Sequence, residues 1–147
     1  MQVDDPIVLL ADDDELATLL MHSVFERAGF VRPLQLARDG VEVIAYLRGD
    51  GPYGDRLQHP LPTVLLLDLN MPRKNGFEVL AWIRQQPALK RLHVYVLSAS
   101  SQLEDIQQAY DLGANSYLVK PGNLDELRHQ ADTLLAWLKL GRFPRLT

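Results

Sequence analysis

The sequence contains no cysteine. That excludes a disulfide framework, thiolate chemistry and a cysteine zinc site, and it agrees with an expected cytoplasmic location. No apolar run approaches the ~20 residues that span a bilayer, so no membrane segment is expected. The opening Met1-Gln2-Val3-Asp4-Asp5-Pro6 has no basic stretch, and no signal peptide is expected. Positive charge is not in excess either. The net charge is −4, which speaks against a nucleic-acid binder. Residues 1–15 contain no Lys or Arg but hold Asp4, Asp5, Asp12, Asp13, Asp14 and Glu15. The reverse holds for residues 139–147, with Lys139, Arg142 and Arg145 and no acid.

What is present is a globular composition, 47% apolar and 23% charged over 147 residues. A chain of this length buries ~70% of its unfolded surface around one core. A single domain over residues 1–147 is expected, with its core from about 7 to 138 and a tail over 139–147 that extends or frays. There is no internal repeat or low-complexity stretch.

Ile7-Val8-Leu9-Leu10-Ala11, Thr63-Val64-Leu65-Leu66-Leu67 and His93-Val94-Tyr95-Val96-Leu97 are short apolar runs. Apolar on both faces, they suit buried parallel strands. Leu34–Ala37 and Ser116–Val119 are two weaker strand candidates. Helical patterns lie between them. Asp39/Glu42, Asn75/Glu78, Ser101/Glu104 and Asn123/Glu126 each have capping-box spacing. Leu127, Ala131, Leu134, Leu135 and Leu138 recur along one helical face. Pro87 is expected to stop the helix that begins near Asn75. Strand and helix alternate five times. That predicts an α/β fold, a doubly wound (βα)5 three-layer sandwich with a parallel sheet in the flavodoxin-like order 2-1-3-4-5. Gly49–Pro62 reads as a long loop, a length often tied to function.

Ligands of such sheets bind beyond the carboxyl ends of the strands. There the sequence supplies Asp12, Asp13 and Asp14 after the first run, and Asp68-Leu69-Asn70 after the third. Ser98-Ala99 and Lys120-Pro121 follow the fourth and fifth. Crowded carboxylates repel and need a cation. Oxygen ligands without Cys or clustered His favour Mg²⁺ over Zn²⁺. The expected chemistry is phosphoryl transfer to a carboxylate, with the metal and Lys120 offsetting charge on the transferring group.

Four segments now carry a resemblance. They are Val8–Asp14 (VLLADDD), Leu65–Gly76 (LLLDLNMPRKNG), Val96–Ala99 (VLSA) and Gly113–Pro121 (GANSYLVKP). From about Ile7 to Leu138 the chain resembles the receiver domain of two-component response regulators. The resemblance implies that Asp68 accepts a phosphoryl group from a histidine kinase. It implies a metal site of Asp12, Asp13, Asp68 and the main-chain carbonyl of Asn70, and a switch made by the Ser98 hydroxyl and Tyr117. It also implies that Lys120 precedes a cis proline, Pro121. The long Gly/Pro loop, Asn70-Met71-Pro72 and Leu97-Ser98-Ala99-Ser100 are most similar to stand-alone regulators of phytochrome-type histidine kinases. No DNA-binding or catalytic output domain is expected to follow.

Simpler roles exist for the same residues. Asp68 can cap a turn, Asp12–Asp14 can cap the first helix, Lys120 can be a surface lysine, Ser98 a turn residue, and Tyr117 core. Which of Asp12 and Asp13 touches the ion stays open, and Asp14 is expected to start the helix. His22, His59, His93 and His129 are scattered and read as structural or exposed. Trp137, with Leu138 and Phe143, is a candidate interface, and a homodimer through the fourth and fifth helices and fifth strand is expected. The alternative function is a small phosphatase or phosphotransferase that turns over a diffusible substrate on Asp68. Such enzymes usually need a cap domain, for which this length leaves no room. A receiver-like scaffold that is never phosphorylated would not need Asp12, Asp13, Asp68, Ser98 and Lys120 all intact.

Overall fold

The computed structural model describes residues 5–146. Met1–Asp4, with Asp4 of the acidic opening stretch, and Thr147 lie outside the described residues. Strands β1 (Val8–Ala11), β2 (Gln35–Ala37), β3 (Val64–Leu67), β4 (His93–Ser98) and β5 (Ser116–Val119) alternate with helices. The helices are α1 (Glu15–Arg27), α2 (Gly40–Arg48), α3 (Gly76–Arg84), α4 (Leu103–Asp111) and α5 (Leu124–Leu140). All pairings are parallel and the order is β2-β1-β3-β4-β5, as expected.

Every residue of β1 and β3 is buried, because both sheet faces are covered. Leu9, Ala11, Leu65, Leu67 and Val94 pack with Val43, Val79, Leu80 and Ile83 of α2 and α3. Val8, Leu10, Leu66 and Leu97 face Met21, Val24, Leu134 and Leu135 of α1 and α5. A third and smaller cluster, Leu69, Val96 and Ala109, lies under α4.

Asp14, Asp39, Asn75 and Asn123 cap α1, α2, α3 and α5. Asn75 and Glu78 form the full reciprocal box. The Ser101/Glu104 expectation fails. Gln102 is the cap residue and makes no side-chain cap bond. The Ser100 hydroxyl instead accepts from the Gln102 N–H and donates to Asp105 at 2.6 Å. Pro87 opens a short 3₁₀ turn after α3 has ended.

The Gly49–Pro62 segment is not a free loop. Gly49 turns the chain at φ 78°. The Arg56 guanidinium then donates to the carbonyls of Tyr46, Leu47 and His59, and the Tyr46 hydroxyl donates to the Pro60 carbonyl. Carbonyls at the end of α2 thereby find a cation. Two residues of the tail also have partners. The Phe143 ring lies edge-on to His93 at 5.2 Å, and Leu146 packs on the first core cluster.

The interface expectation needs correction at Leu138. It is fully buried, because it continues the core stripe of Ala131, Leu134 and Leu135. Trp137, one residue off that stripe, is 60% exposed, and Phe143 is part-buried against the second core cluster. Among the described residues there is no helix long and apolar enough to cross a membrane.

Candidate functional site

Asp12, Asp68 and Lys120, which converge, are the first residues past β1, β3 and β5. The ladders extend far enough to hold them. The Asp12 N–H donates to the Ala37 carbonyl, Asp68 N–H to Ala11, and Lys120 N–H to Ser98. Because β1 sits between β2 and β3, the chain reverses its winding there. The carboxyl ends of β1 and β3 open the crevice where such sheets bind ligands.

Lys120 reaches across this edge. Its Nζ donates to Asp12 Oδ2 at 2.6 Å and to Asp68 Oδ2 at 3.3 Å. The other oxygens are held by main chain. Asp12 Oδ1 accepts from Asp14 N–H at 2.9 Å, and Asp68 Oδ1 from Asn70 N–H at 3.1 Å. Asp12 and Asp68 are buried, Asp13 is exposed, and one carboxylate oxygen from each lies within 4.8 Å of the others. A cleft of about 500 Å³ opens over them, lined by Asp13, Asp68, Asn70, Ala99, Lys120 and Pro121.

Burial pushes the Asp68 carboxyl up to about 6, against the opposing pull of Lys120 and the Asn70 N–H. The Asp12 charge adds to the rise. For Lys120, burial works against the charged form. The bonds and charges of Asp12 and Asp68 outweigh it, and the ammonium is held above its ordinary value. The donor set is all oxygen and acidic, which fits a hard divalent cation. Asp14 stands apart from it, with Oδ1 accepting from Leu16 and Ala17 N–H at the start of α1.

Ser98 and Tyr117 are not in direct contact with Asp68 through any hydrogen bond of the structure. Ser98 is fully buried, and its Oγ accepts from Ser100 N–H at 3.1 Å. The Tyr117 ring already packs inward on the Leu69–Val96–Ala109 cluster, and its hydroxyl donates to the Ser100 carbonyl at 2.9 Å. The Lys120–Pro121 bond differs from expectation, since no cis peptide occurs among the described residues. Trans is the intrinsically favoured X–Pro form.

Residues that the sequence reading missed surround these. Ser100 links Ser98, Tyr117 and Asp105. Tyr110 of α4 accepts the Tyr117 N–H on its hydroxyl at 3.1 Å. Arg73 Nε and Nη2 both reach Asp39 Oδ2, at 2.9 and 2.8 Å. Asp39 was legible only as a helix cap, and its partner lies 34 residues away.

Comparison with known proteins agrees with this geometry. The family model described as the response regulator receiver domain matches residues 8–132. The response regulator Rcp1 of Synechocystis sp. is 39% identical over 121 residues, 82% of this chain and 80% of that protein. FilR2 of Methanothrix harundinacea, a probable methanogenesis regulatory protein, is 34% identical over 146 residues, 98% of this chain and 92% of its own. Among solved structures, the Mn(2+)-bound form of Rcp1 superposes with a TM-score of 0.88 at 35% identity. The phosphorylated cyanobacterial phytochrome response regulator RcpA gives the same values. Each match covers 95% of this chain and 99% of the other. With the family model spanning most of its length, this chain belongs to the response regulator receiver family.

Proposed function

We propose that Asp68 accepts a phosphoryl group from a histidine kinase, and that the chain is a single-domain switch and not a turnover enzyme. The observation that carries this reading is the Lys120 bridge between two buried carboxylates at the sheet's switch point. An Asp68 oxygen attacks phosphorus, the bond from phosphorus to the kinase imidazole nitrogen breaks, and its electron pair leaves with that ring. Lys120 Nζ is placed to face the oxygens of the transferring group. Burial strengthens these charge contacts.

Asp12, Asp13, Asp68 and the Asn70 carbonyl would hold Mg²⁺. When bound, that ion supplies positive charge against both the carboxylates and the phosphoryl oxygens. Support comes from the oxygen cluster of Asp12, Asp13 and Asp68 and from the Mn(2+)-bound form of the relative Rcp1. The likeness to RcpA, described as a phytochrome response regulator, supports a phytochrome-type kinase as donor.

Ser98, Tyr117, Lys120 and Pro121 make the responding side. A phosphoryl oxygen that draws the Ser98 hydroxyl takes it from Ser100 N–H. Ser100 in turn holds the Tyr117 hydroxyl and Asp105 of α4. The shift therefore reaches the α4–β5 surface. Exposed Trp137 supports a homodimer through α4, β5 and α5. Function is carried out in the cytoplasm, without nucleic acid or membrane.

Asp68→Asn keeps the side-chain volume and removes the nucleophile. Incubated with an autophosphorylated histidine kinase or acetyl phosphate, wild type takes label with acyl-phosphate lability and the variant takes none. Wild-type labelling of the variant would assign the acceptor elsewhere.

A further inference from the structure

Between Asp68 and α3 the chain makes a tight loop. Its start is fixed by Asn70 N–H on Asp68 Oδ1, and its end by Gly76 N–H on the Leu69 carbonyl. At its far point Lys74 N–H closes back on the Pro72 carbonyl at 2.7 Å, around Arg73. Arg73 has φ 65° and is the one non-glycine residue with positive φ among the described residues. That backbone costs an ordinary side chain about 1–2 kcal/mol. Glycine or asparagine would occupy it more easily, so the arginine is not there for the turn.

Its guanidinium explains it. Nε and Nη2 both donate to Asp39 Oδ2, while Asp39 Oδ1 accepts from Glu42 N–H at 2.8 Å. The Asp39 carboxylate is only 10% exposed and is locked to the first turn of α2. Arg73 thus ties the far point of the loop to a rigid helix start, three residues from Asn70. Strained backbone of this kind persists where the surroundings over-determine it.

We propose that Arg73 is a positioning residue: through Asp39 it sets where the loop holds the Asn70 carbonyl, and so the affinity of the acidic site for a divalent cation. This rests on the metal-assisted phosphoacceptor reading above. Partners that orient metal ligands commonly tune affinity by about tenfold or more. Arg73 acts at one remove, so about three- to tenfold is expected.

The probe is Mn²⁺ alone, titrated into the full chain and followed by loss of the free-ion electron paramagnetic resonance signal. Arg73→Ala removes the guanidinium and keeps the strain. Arg73→Gly removes both. Asp39→Asn keeps the acceptor for Glu42 N–H and removes the charge. All three should weaken Mn²⁺ binding about three- to tenfold, and Arg73→Ala/Asp39→Asn should be no weaker than either single change. Melting without metal separates position from stability: Arg73→Gly should melt at or above Arg73→Ala and still bind Mn²⁺ poorly. If Arg73→Ala does not fold, Arg73→Gly carries the test. Affinities within twofold of wild type in Arg73→Gly and Asp39→Asn would overturn the positioning role alone. A wild type that binds no Mn²⁺ would overturn the metal-site reading, and this inference with it.

Discussion

The carboxyl edge of the sheet has two unlike halves. In β1 and β3 every residue is buried, and the loop after β3 is pinned at both ends and at Arg73. β4 is buried too from Val94 to Ser98, but at the far edge β5 has no buried residue and α4 buries only Ala109. Hydrogen bonds of Ser100, Asp105, Tyr110 and Tyr117 hold that side in place of a broad apolar contact. Regions with few buried contacts open at low free energy, whereas a reacting carboxylate needs fixed geometry. In the proposed reading, the reacting group Asp68 lies in the stiff half and the responding surface in the soft one. Lys120 and Ser98 stand at the seam, Lys120 at the end of β5 but bonded to Asp12 and Asp68.

The sharpest way to break this contrast is to enlarge a glycine in the stiff half. A Cβ on Gly76 would sit 2.5 Å from the Asp68 carbonyl oxygen and 2.7 Å from Leu69 Cα. Both are backbone atoms of the turn that carries Asp68 and cannot swing aside. Gly76→Ala should therefore destabilise by about 3 kcal/mol in urea unfolding, the upper end for overpacking. A change under about 1 kcal/mol would mean that the loop yields, and the stiff half is not stiff.

A second effect follows from Asp68. Its folded pKa of about 6 lies above the ordinary 3.8, so the folded state holds the proton more tightly than the unfolded one. Stability from this group is greatest below pH 4 and falls as pH rises to about 6, where it levels off. A two-unit shift corresponds to roughly 3 kcal/mol at most. In metal-free buffer, wild type should lose on the order of 1–3 kcal/mol across that window relative to Asp68→Asn. Labelling from acetyl phosphate should fail below about pH 6 at low metal and recover as Mg²⁺ is added. Parallel pH profiles for wild type and Asp68→Asn would show that burial does not strain the carboxylate.

The same contrast explains what was legible in the sequence. The stiff half is written in contiguous runs: β1 and β3 begin within one residue of the apolar stretches, and Asp12, Asp13 and Asp68 sit directly after them. The converging set of Asp12, Asp13, Asp68, Asn70 and Lys120 follows from topology plus position. Contacts across long separations carry no local pattern, and so the Arg73–Asp39 pair and the Arg56 staple on α2 were invisible. On the soft side, local signals competed. Ser101 had the spacing of a cap, but the neighbouring Ser100 hydroxyl took Asp105 and moved the helix start. Leu138 and Trp137 are adjacent, and only the helical phase separates the buried residue from the exposed one.

The smallest expected effect tests the soft half directly. Tyr110 is 48% exposed, yet its hydroxyl is the acceptor for the Tyr117 N–H on the outer edge of β5. Tyr110→Phe deletes that oxygen and keeps the ring. The freed N–H turns to water, so the loss is one exposed hydrogen bond, about 0.5–1 kcal/mol. The global melting temperature should hardly move. Local opening should change more visibly: the Tyr117 amide should exchange about two- to fivefold faster, as that energy implies, while Leu65 and Leu66 amides keep their protection. Even in wild type, amides of β5 should exchange well ahead of those of β3, because opening β5 uncovers little apolar surface. Equal protection in the two strands would erase the contrast. An unchanged Tyr117 amide in the variant would show that packing, and not the Tyr110 hydroxyl, holds α4 against the edge strand.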